Sequence, residues 1–254
     1  MDFTLIRHQE FLNTLQNLGY SFQTFSAFIT APLGKVIILR YDVDRLPDNA
    51  LKVAMIEHEL GITSTYYFRA VPESWNETIM GEIVAIGHEL GYHYEDLSIV
   101  GGDYTKAIRH FEDQLVRFRR IYPVKTICMH GSPLSKWDNR DLWKQYDYRD
   151  FGIIGEPYFD VNFNEVFYIT DTGRKWNNSG ASVRDQVASG FDIPIKSTNH
   201  LMALAERGVL PDHMMITIHP QRWHDKPLPW VKELIWQNLK NIAKWVLIKA
   251  KSKR

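Results

Sequence analysis

One stretch of the chain, VIILRYDVD at residues 36–44, decides the fold class. Its first four residues are all apolar, as in a strand that is buried on both faces of a parallel sheet. A strand places alternate side chains on the same face, so Arg40, Asp42 and Asp44 point the same way. A buried strand that ends in an arginine and two carboxylates predicts a polar site at the carboxyl end of that strand.

Strand and helix patterns alternate on both sides of this stretch. Further strands are predicted at 64–68, 124–129 and 214–218, with a short strand leading to His93, and helical patterns cover 49–60, 77–86, 104–122 and 200–207. Residues 161–170 alternate apolar and polar side chains, which predicts a half-exposed strand. This order predicts an α/β fold with mostly parallel strands covered by helices.

Length and composition limit the class of protein. The chain has 254 residues, 44% apolar and 24% charged, which predicts a single domain with a motif-bearing core at about 36–220 and a C-terminal helix at about 229–249. Thirty basic residues balance thirty acidic ones, so the basic excess typical of nucleic-acid binding is absent. The single cysteine, Cys128, excludes an internal disulfide and a cysteine-based zinc cluster. Charges interrupt the first 18 residues, and no apolar run approaches about 18 residues, so we expect a cytoplasmic protein.

Polar side chains stand where several predicted strands end. His93, His130 and His219 occupy such positions, as Asp42 and Asp44 do after the first strand. Because the carboxyl ends of parallel strands meet at one edge, where active sites form, we expect these five side chains to line one pocket. Two carboxylates this close together repel each other unless a nearby cation compensates for their charge. One is therefore predicted to bind a metal ion and the other to act as a base.

Three motifs resemble those of the polysaccharide deacetylase family, the family 4 carbohydrate esterases with a NodB-homology domain. Asp-Val-Asp at 42–44 is similar to the first motif of the family, and Gly-His-Glu-Leu-Gly-Tyr-His at 87–93 is similar to the start of the second. The strand at 214–218 followed by His219 is similar to the last motif. The resemblance covers about residues 36–220. It implies a distorted (β/α) barrel that removes an N-acetyl group from a sugar with one divalent metal ion, expected to be zinc.

The resemblance also implies a role for each matching position. Asp42 would be the general base, Asp44 and His93 metal ligands, and His219 the general acid. The two aspartates lie only two residues apart, so an exchange of their roles is the alternative.

The third metal ligand of the family is missing from its usual place. The second motif of the family supplies another histidine four residues after the first, and here that position is Leu97, which cannot bind a metal. Catalytic zinc takes three protein ligands and an open position for water. His130, at the end of a neighbouring strand, is the favoured replacement. Glu95, Asp96 and a site without a third ligand are the alternatives.

The Arg-x-Pro-Tyr-Gly motif of the family, whose arginine orients the base, is also absent. Arg40 lies on the same strand face as Asp42 and is the favoured substitute, with Arg174 and Arg184 as alternatives. An arginine paired with Asp42 would keep that carboxylate ionised and oriented, as a base must be.

Two later stretches, at residues 170–178 and 219–224, mix aromatic and polar side chains in a way that suits sugar recognition. The expected substrate-binding residues are Arg40, Asp171, Arg174, Trp176, Arg222 and Trp223. Asp171 is also a candidate for orienting His219. The alternative is that both stretches are ordinary loops anchored by tryptophan.

The expected activity is that of a metal-dependent deacetylase acting on an acetylated sugar or glycan, with no nucleic-acid partner. One alternative is a catalytically inactive relative that binds a glycan or a protein partner, because a site with two ligands would hold a metal poorly. The other is a small-molecule amidohydrolase on the same barrel.

The end of the chain is basic. Residues 231–254 contain six lysines and one arginine against a single glutamate, together with two tryptophans. This composition is compatible with an interfacial helix on anionic lipid or with a packing helix that has a solvated basic tail. The second interpretation is favoured, so no membrane contact is expected.

Overall fold

Strands and helices alternate along most of the chain. The computed structural model describes residues 1–132, 135–176 and 187–251. The strands are β1 (Ser21–Gln23), β2 (Val36–Val43), β3 (Thr65–Phe68), β4 (Glu89–Tyr94), β5 (Ile127–Met129), β6 (Phe167–Thr170) and β7 (His213–Ile218). The α-helices are α1 (Leu5–Asn17), α2 (Phe25–Thr30), α3 (Pro47–Glu59), α4 (Glu77–Ala85), α5 (Asp96–Ile99), α6 (Tyr104–Arg119), α7 (Pro157–Asp160), α8 (Thr198–Glu206) and α9 (Pro227–Lys251). Short 3-10 helices span Asn139–Lys144, Tyr148–Phe151, Thr172–Arg174 and Pro220–Arg222.

The strands in the described part of the chain form one parallel sheet. Its order is β5-β4-β3-β2-β7-β6, and β1 pairs with the first half of β2. β2 is therefore central, and its Arg40 lies between Thr65 of β3 and Thr217 of β7. The predicted α/β class with mostly parallel strands is confirmed, and the strands form a curled half-barrel sheet.

The two faces of the sheet bury different kinds of side chain. All eight residues of β2 are buried, as the apolar run predicts. The β2 residues in the main core on the helix-covered face are Ile37, Leu39, Tyr41 and Val43. The opposite, concave face carries Ile38, which joins a smaller apolar cluster, and then Arg40 and Asp42. The polar residues of the site therefore come from one face of β2, in accordance with the two-residue period of a strand.

The predicted strand at residues 161–170 is wrong over its first half. Only Phe167–Thr170 forms a strand, and all four of its residues are buried rather than half exposed. Before it, the Asn162 side chain accepts the backbone N–H of Asn164, and the N–H of Glu165 bonds to the carbonyl of Asn162. Asparagine commonly makes such local bonds in place of strand pairing, which explains why the alternating pattern was misleading. The short elements β1 and α2 were also not predicted.

A buried carboxyl group, Glu57, lies on the helix-covered face, opposite the face that carries Arg40 and Asp42. Glu57 of α3 accepts hydroxyl hydrogens from Tyr41 at 2.6 Å, and from Tyr66 and Ser64 at 2.7 Å each. Burial raises the pKa of Glu57 to about 7, because the three hydrogen bonds only partly compensate for the lost hydration. The folded chain therefore keeps this group protonated at pH values where the unfolded chain releases the proton.

We expect Glu57 to make stability depend on pH. Between about pH 4.5 and 7 the unfolded state loses this proton and the folded state retains it, so the contribution of Glu57 to the free energy of unfolding falls as pH rises and then levels off. The raised pKa corresponds to a loss of about 3 kcal/mol over this window. Urea unfolding would measure the free energy of unfolding of Glu57→Gln and of the wild type at several pH values. The difference between them should shift in favour of the variant by up to this amount from pH 5 to pH 8. Glu59→Gln, exposed on the same helix, is the control, and an equal gain there would contradict the assignment.

Candidate metal centre and active site

Polar side chains from four strands meet at the carboxyl edge of the sheet. Asp44 follows β2, His93 lies in β4, His130 follows β5 and His219 follows β7. In a flat sheet, β5 and β7 would lie about 19 Å apart, since strands are spaced by about 4.8 Å. Nε2 of His130 and Nε2 of His219 nevertheless lie 3.5 and 4.0 Å from the Asp44 carboxylate. The curl of the sheet therefore brings these strand ends into one site.

The Asp44 carboxylate is the centre of a candidate metal site. Its Oδ1 lies 3.5 Å from Nε2 of His130 and 3.7 Å from Nε2 of His93. This oxygen is buried and accepts no hydrogen bond, whereas Oδ2 accepts one from the Gln221 side chain at 2.9 Å. A buried carboxylate oxygen without a donor is unfavourable, and a cation at this position would satisfy it.

Both imidazoles are arranged to offer a lone pair. His93 Nδ1 lies 2.9 Å from the carbonyl oxygen of Cys128, which can only accept, so the hydrogen is on Nδ1. His130 Nδ1 lies 2.7 Å from Oε2 of Glu95. Burial lowers the pKa of His93 to about 4, which keeps the ring neutral at neutral pH. Metal-binding histidines commonly donate the other ring N–H to a carbonyl or carboxylate group, and both rings do so here.

The spacing of these groups fits one ion. Ligand atoms bound tetrahedrally at 2.0–2.1 Å lie about 3.3 Å from one another. The distances from Asp44 Oδ1 to the two imidazole nitrogens are only slightly longer. One carboxylate and two imidazoles is also a donor set that catalytic zinc uses. The residues present therefore fit a single divalent ion held by Asp44, His93 and His130.

The alternative third ligands are engaged elsewhere. Oε2 of Glu95 contacts His130, and Oε1 accepts from Nε of Arg69 at 2.6 Å. Asp96 is fully buried, and both of its oxygens accept the Tyr92 hydroxyl, at 2.9 and 3.0 Å. Their positions favour His130 as the third ligand, with Glu95 as the group that orients it.

A second group of possible ligands in the described chain consists of Asp42, His93 and Cys128. It shares His93 with the first group. Arg40 already occupies both oxygens of Asp42, donating from Nε to Oδ1 at 2.8 Å and from Nη2 to Oδ2 at 2.6 Å. The unpartnered oxygen belongs to Asp44, so the first group is the better cation site.

Asp42 lies beside the metal group as an ionised carboxylate. Its Oδ2 is 3.7 Å from His93 Nε2. Burial alone would raise the pKa of Asp42, but Arg40, followed by His93 and His219, more than offsets this, and the pKa lies below its ordinary value. The predicted pairing of Arg40 with Asp42 is present, and it supplies the charge and the fixed orientation that a general base needs.

His219 is oriented by a buried carboxylate. Its Nδ1 lies 2.7 Å from Oδ1 of Asp171, which also accepts from Nη1 of Arg222 at 2.7 Å. Oδ2 of Asp171 accepts the indole N–H of Trp223 at 2.8 Å. Burial would raise the pKa of Asp171, but Arg222 and then His219 lower it, so the carboxylate is ionised. The Nδ1 hydrogen is thereby fixed, and Nε2 points towards Asp44.

The two tryptophans expected to stack on a sugar lie in the core instead. Trp176 and Trp223 are 3% and 1% exposed. Both rings pack against Phe3 and against each other. Trp176 also donates its indole N–H to Thr198 at 2.9 Å. Neither ring has a free face, so the prediction of sugar stacking is wrong at both positions.

The four polar residues expected to bind the substrate are also buried: Arg40, Asp171, Arg174 and Arg222. Arg40 binds Asp42, and Asp171 binds His219. Neither Arg40 nor Asp171 faces an open cleft. Arg174 donates to the Trp230 carbonyl of α9 at 3.1 Å and makes no ion pair with Asp42 or Asp44. The alternative prediction that Arg174 pairs with Asp42 is therefore wrong. Arg184, the other alternative, lies outside the described residues. Of these four residues, Arg222 lies close to the proposed acid, with its Nη1 2.9 Å from Nδ1 of His219.

Two residues of the site were not predicted. Gln221 donates to Asp44 Oδ2, as described above, and Arg69 donates to the Asp44 backbone carbonyl at 3.2 Å while pairing with Glu95. Arg69 directly follows β3. Arg69 thus has the same position at a strand end as the three histidines, a signal that is visible in the sequence.

Comparisons with known proteins find similar chains among solved structures alone. No protein-family model matches the chain, and no curated protein is similar to it. The chain is similar to a family 4 carbohydrate esterase from Bacillus anthracis, with a TM-score of 0.45 and 10% identity over 92% of this chain and 86% of that chain. It is also similar to the Xyl-CE4 domain of a multidomain xylanase from the hindgut metagenome of Trinervitermes trinervoides, with a TM-score of 0.41 and 14% identity over 82% and 84%.

Both are family 4 carbohydrate esterases. They belong to the family that the motifs at 42–44, 87–93 and 214–219 resemble.

Proposed function

We propose that this chain is a metal-dependent deacetylase that hydrolyses the N-acetyl group of a carbohydrate. The proposal depends chiefly on the buried oxygen Asp44 Oδ1, which has no hydrogen-bond donor and faces Nε2 of both His93 and His130. An ionised carboxylate, Asp42, and an oriented imidazole, His219, border the same group. A cation site flanked by a base and an acid is suited to metal-assisted hydrolysis. The carbohydrate class is what the motif resemblance implies.

The ion would be held by Asp44, His93 and His130. When bound, a divalent ion polarises an acyl carbonyl and makes a water molecule more acidic. Glu95 would keep His130 in the orientation and tautomer that binding needs, and Arg69 would hold Glu95.

The other residues would move protons. Asp42 would accept a proton from the attacking water as the oxygen of that water forms a bond to the acetyl carbon. Arg40 would keep Asp42 ionised and fix its orientation before the attack. His219 would donate a proton from Nε2 to the amide nitrogen as the carbon–nitrogen bond breaks, and Asp171 would stabilise the imidazolium form. The products are acetate and a free amino sugar, and exchange with solvent restores both proton carriers.

The test is hydrolysis by the full chain after incubation with zinc. N-acetylglucosamine, its oligomers and a nucleotide-linked N-acetyl sugar would be assayed for released acetate and for new primary amine. We expect the two products in equal amounts. His219→Ala should lower kcat by about 10²–10⁴-fold, the usual contribution of a positioned acid, and should still bind the metal.

The matched control is His213→Ala, which removes a histidine from the opposite end of the same strand and should keep full activity. Activity on acetylated amines without a sugar, and not on the sugars, would favour the small-molecule amidohydrolase. A wild-type chain that binds metal and sugar without releasing acetate would favour the inactive relative. Retained turnover in His219→Ala would contradict the role of the acid.

A further inference from the structure

The last helix, α9, buries polar side chains and exposes apolar ones. Glu233 and Gln237 are each 6% exposed and pack against the body of the protein. Asn241, one turn further on, donates to the Gly173 carbonyl at 3.0 Å. Five apolar residues of the helix are between 45% and 84% exposed and form what we term the outer stripe: Leu228, Val231, Ile235, Trp236 and Leu239. A surface helix in a soluble domain normally has the reverse arrangement.

The outer stripe is a continuous feature. Leu228, Val231, Ile235 and Leu239 follow one another at three- and four-residue intervals, which places them on one helix face. The described chain has fifteen large apolar residues that are exposed, and five of them lie within these twelve residues of α9. Single exposed apolar residues need no explanation, but a contiguous patch marks an interaction site.

The charge around the outer stripe is positive. Lys232 and Lys240 are exposed on the same helix, and the Lys240 ammonium lies 5.0 Å from the ring centre of Trp236. The one acidic residue after position 230, Glu233, is neutralised by Arg45 at 2.6 Å. Because the whole chain has a formal charge of zero, this excess of lysine is a local property of α9.

We propose that the outer stripe of α9 binds the surface of an anionic lipid membrane, with the helix lying parallel to that surface. Leucine, isoleucine and tryptophan on one face with lysines beside them are the composition of interfacial helices, in which the apolar side chains enter the headgroup region. A second copy of this chain would bring like charges together, whereas anionic lipid brings opposite charges to the lysines. In the described chain, no helix has the length and apolar character needed to cross a bilayer, so the contact is peripheral.

Docking would place the candidate site beside the lipid. Glu233 of α9 binds Arg45, the neighbour of Asp44 in the chain. Asn241 binds Gly173, two residues after Asp171. The helix thus packs on the segments that carry the candidate ligand and the carboxylate that orients His219. The docking itself does not depend on the proposed function, and lipid binding tests it without reference to activity.

The test is cosedimentation of the full chain with vesicles. We expect binding to phosphatidylcholine vesicles that contain about a third phosphatidylglycerol, weak binding to phosphatidylcholine alone, and a decrease at high salt. Ile235→Asp combined with Leu239→Asp should abolish binding. Lys232→Gln combined with Lys240→Gln should weaken it by roughly 25-fold, about fivefold for each lysine.

The matched controls lie on other helices. Met55→Asp with Val116→Asp changes two apolar residues of similar exposure, 52% and 51%, and Lys106→Gln with Lys144→Gln changes two exposed lysines. Both pairs should bind as the wild type does. Absence of wild-type binding, equal binding to both kinds of vesicle, or unchanged binding in the Ile235 and Leu239 variant would overturn the proposal. A dimer that this variant converts to a monomer, without lipid binding, would instead identify the outer stripe as an interface between copies.

Discussion

Asp42→Asn is expected to lower kcat by about 10²–10⁴-fold, because the asparagine amide cannot accept the proton that the carboxylate takes from water. Asp42 is ionised in the folded chain and borders the proposed metal group, with Oδ2 3.7 Å from His93 Nε2. It is not one of the proposed ligands, so the variant should bind zinc as the wild type does. Steady-state kinetics of the zinc-loaded protein, with metal content measured on the same sample, would check both expectations.

The same substitution should also destabilise the fold. Arg40 is 1% exposed, and without Asp42 its charge would be buried and unpaired, at a cost of about 3–5 kcal/mol. The double variant Arg40→Met with Asp42→Asn removes that charge. It should recover most of the free energy of unfolding and none of the activity. This separation distinguishes a lost base from a damaged fold.

The chain contains a matched control pair. Arg140 binds Asp138 with the same two-residue spacing and two hydrogen bonds, at 3.0 and 2.7 Å, but both side chains are partly exposed, at 27% and 26%. Asp138→Asn should change stability by less than about 1 kcal/mol and leave kcat unchanged. Wild-type turnover in Asp42→Asn would refute its role as the base. A loss of stability as small as that of Asp138→Asn would refute the buried pairing.

His130→Ala is expected to remove the metal from the protein. The wild type should hold close to one equivalent of zinc per chain after gel filtration. Loss of one of three ligands should weaken binding by roughly 100-fold or more, since removal of an orienting group alone costs about 10–100-fold. Elemental analysis of the purified proteins and calorimetric titration with zinc would measure both quantities.

Glu95→Gln distinguishes an orienting group from a ligand. Glu95 binds Nδ1 of His130 at 2.7 Å and orients that ring. Its replacement should therefore weaken zinc binding by about 10–100-fold, less than the loss of His130 does. Asp96→Asn changes the next residue, which is also buried, and should leave zinc binding unchanged because both of its oxygens accept from Tyr92. One equivalent of zinc in His130→Ala, together with its loss in Glu95→Gln, would transfer the third ligand position to Glu95.

Local pattern was sufficient to predict most of the sheet and most of the polar residues at its carboxyl edge. The run at 36–39 is apolar at every position, and such a run forms a strand wherever both faces are covered. Parallel strands end at a common edge, so Asp42, Asp44, His93, His130 and His219 could be assigned to one pocket before any distance was known. Where local side-chain bonds competed with pairing, as at Asn162, the same patterns were misleading.

The chain's amino-acid sequence by itself thus determined most of the strands, their parallel alignment and most of the polar residues at the strand ends, because these follow from periodicities of a few residues. Only the tertiary structure decided which of those residues face one another. The curl of the sheet brings His130 to Asp44, and the choice between His130 and Glu95 depends on which atom points inward. It also decided that Trp176 and Trp223 are core residues and that α9 exposes its apolar side. Burial depends on what packs against a residue from elements distant in sequence, and no local pattern contains that information.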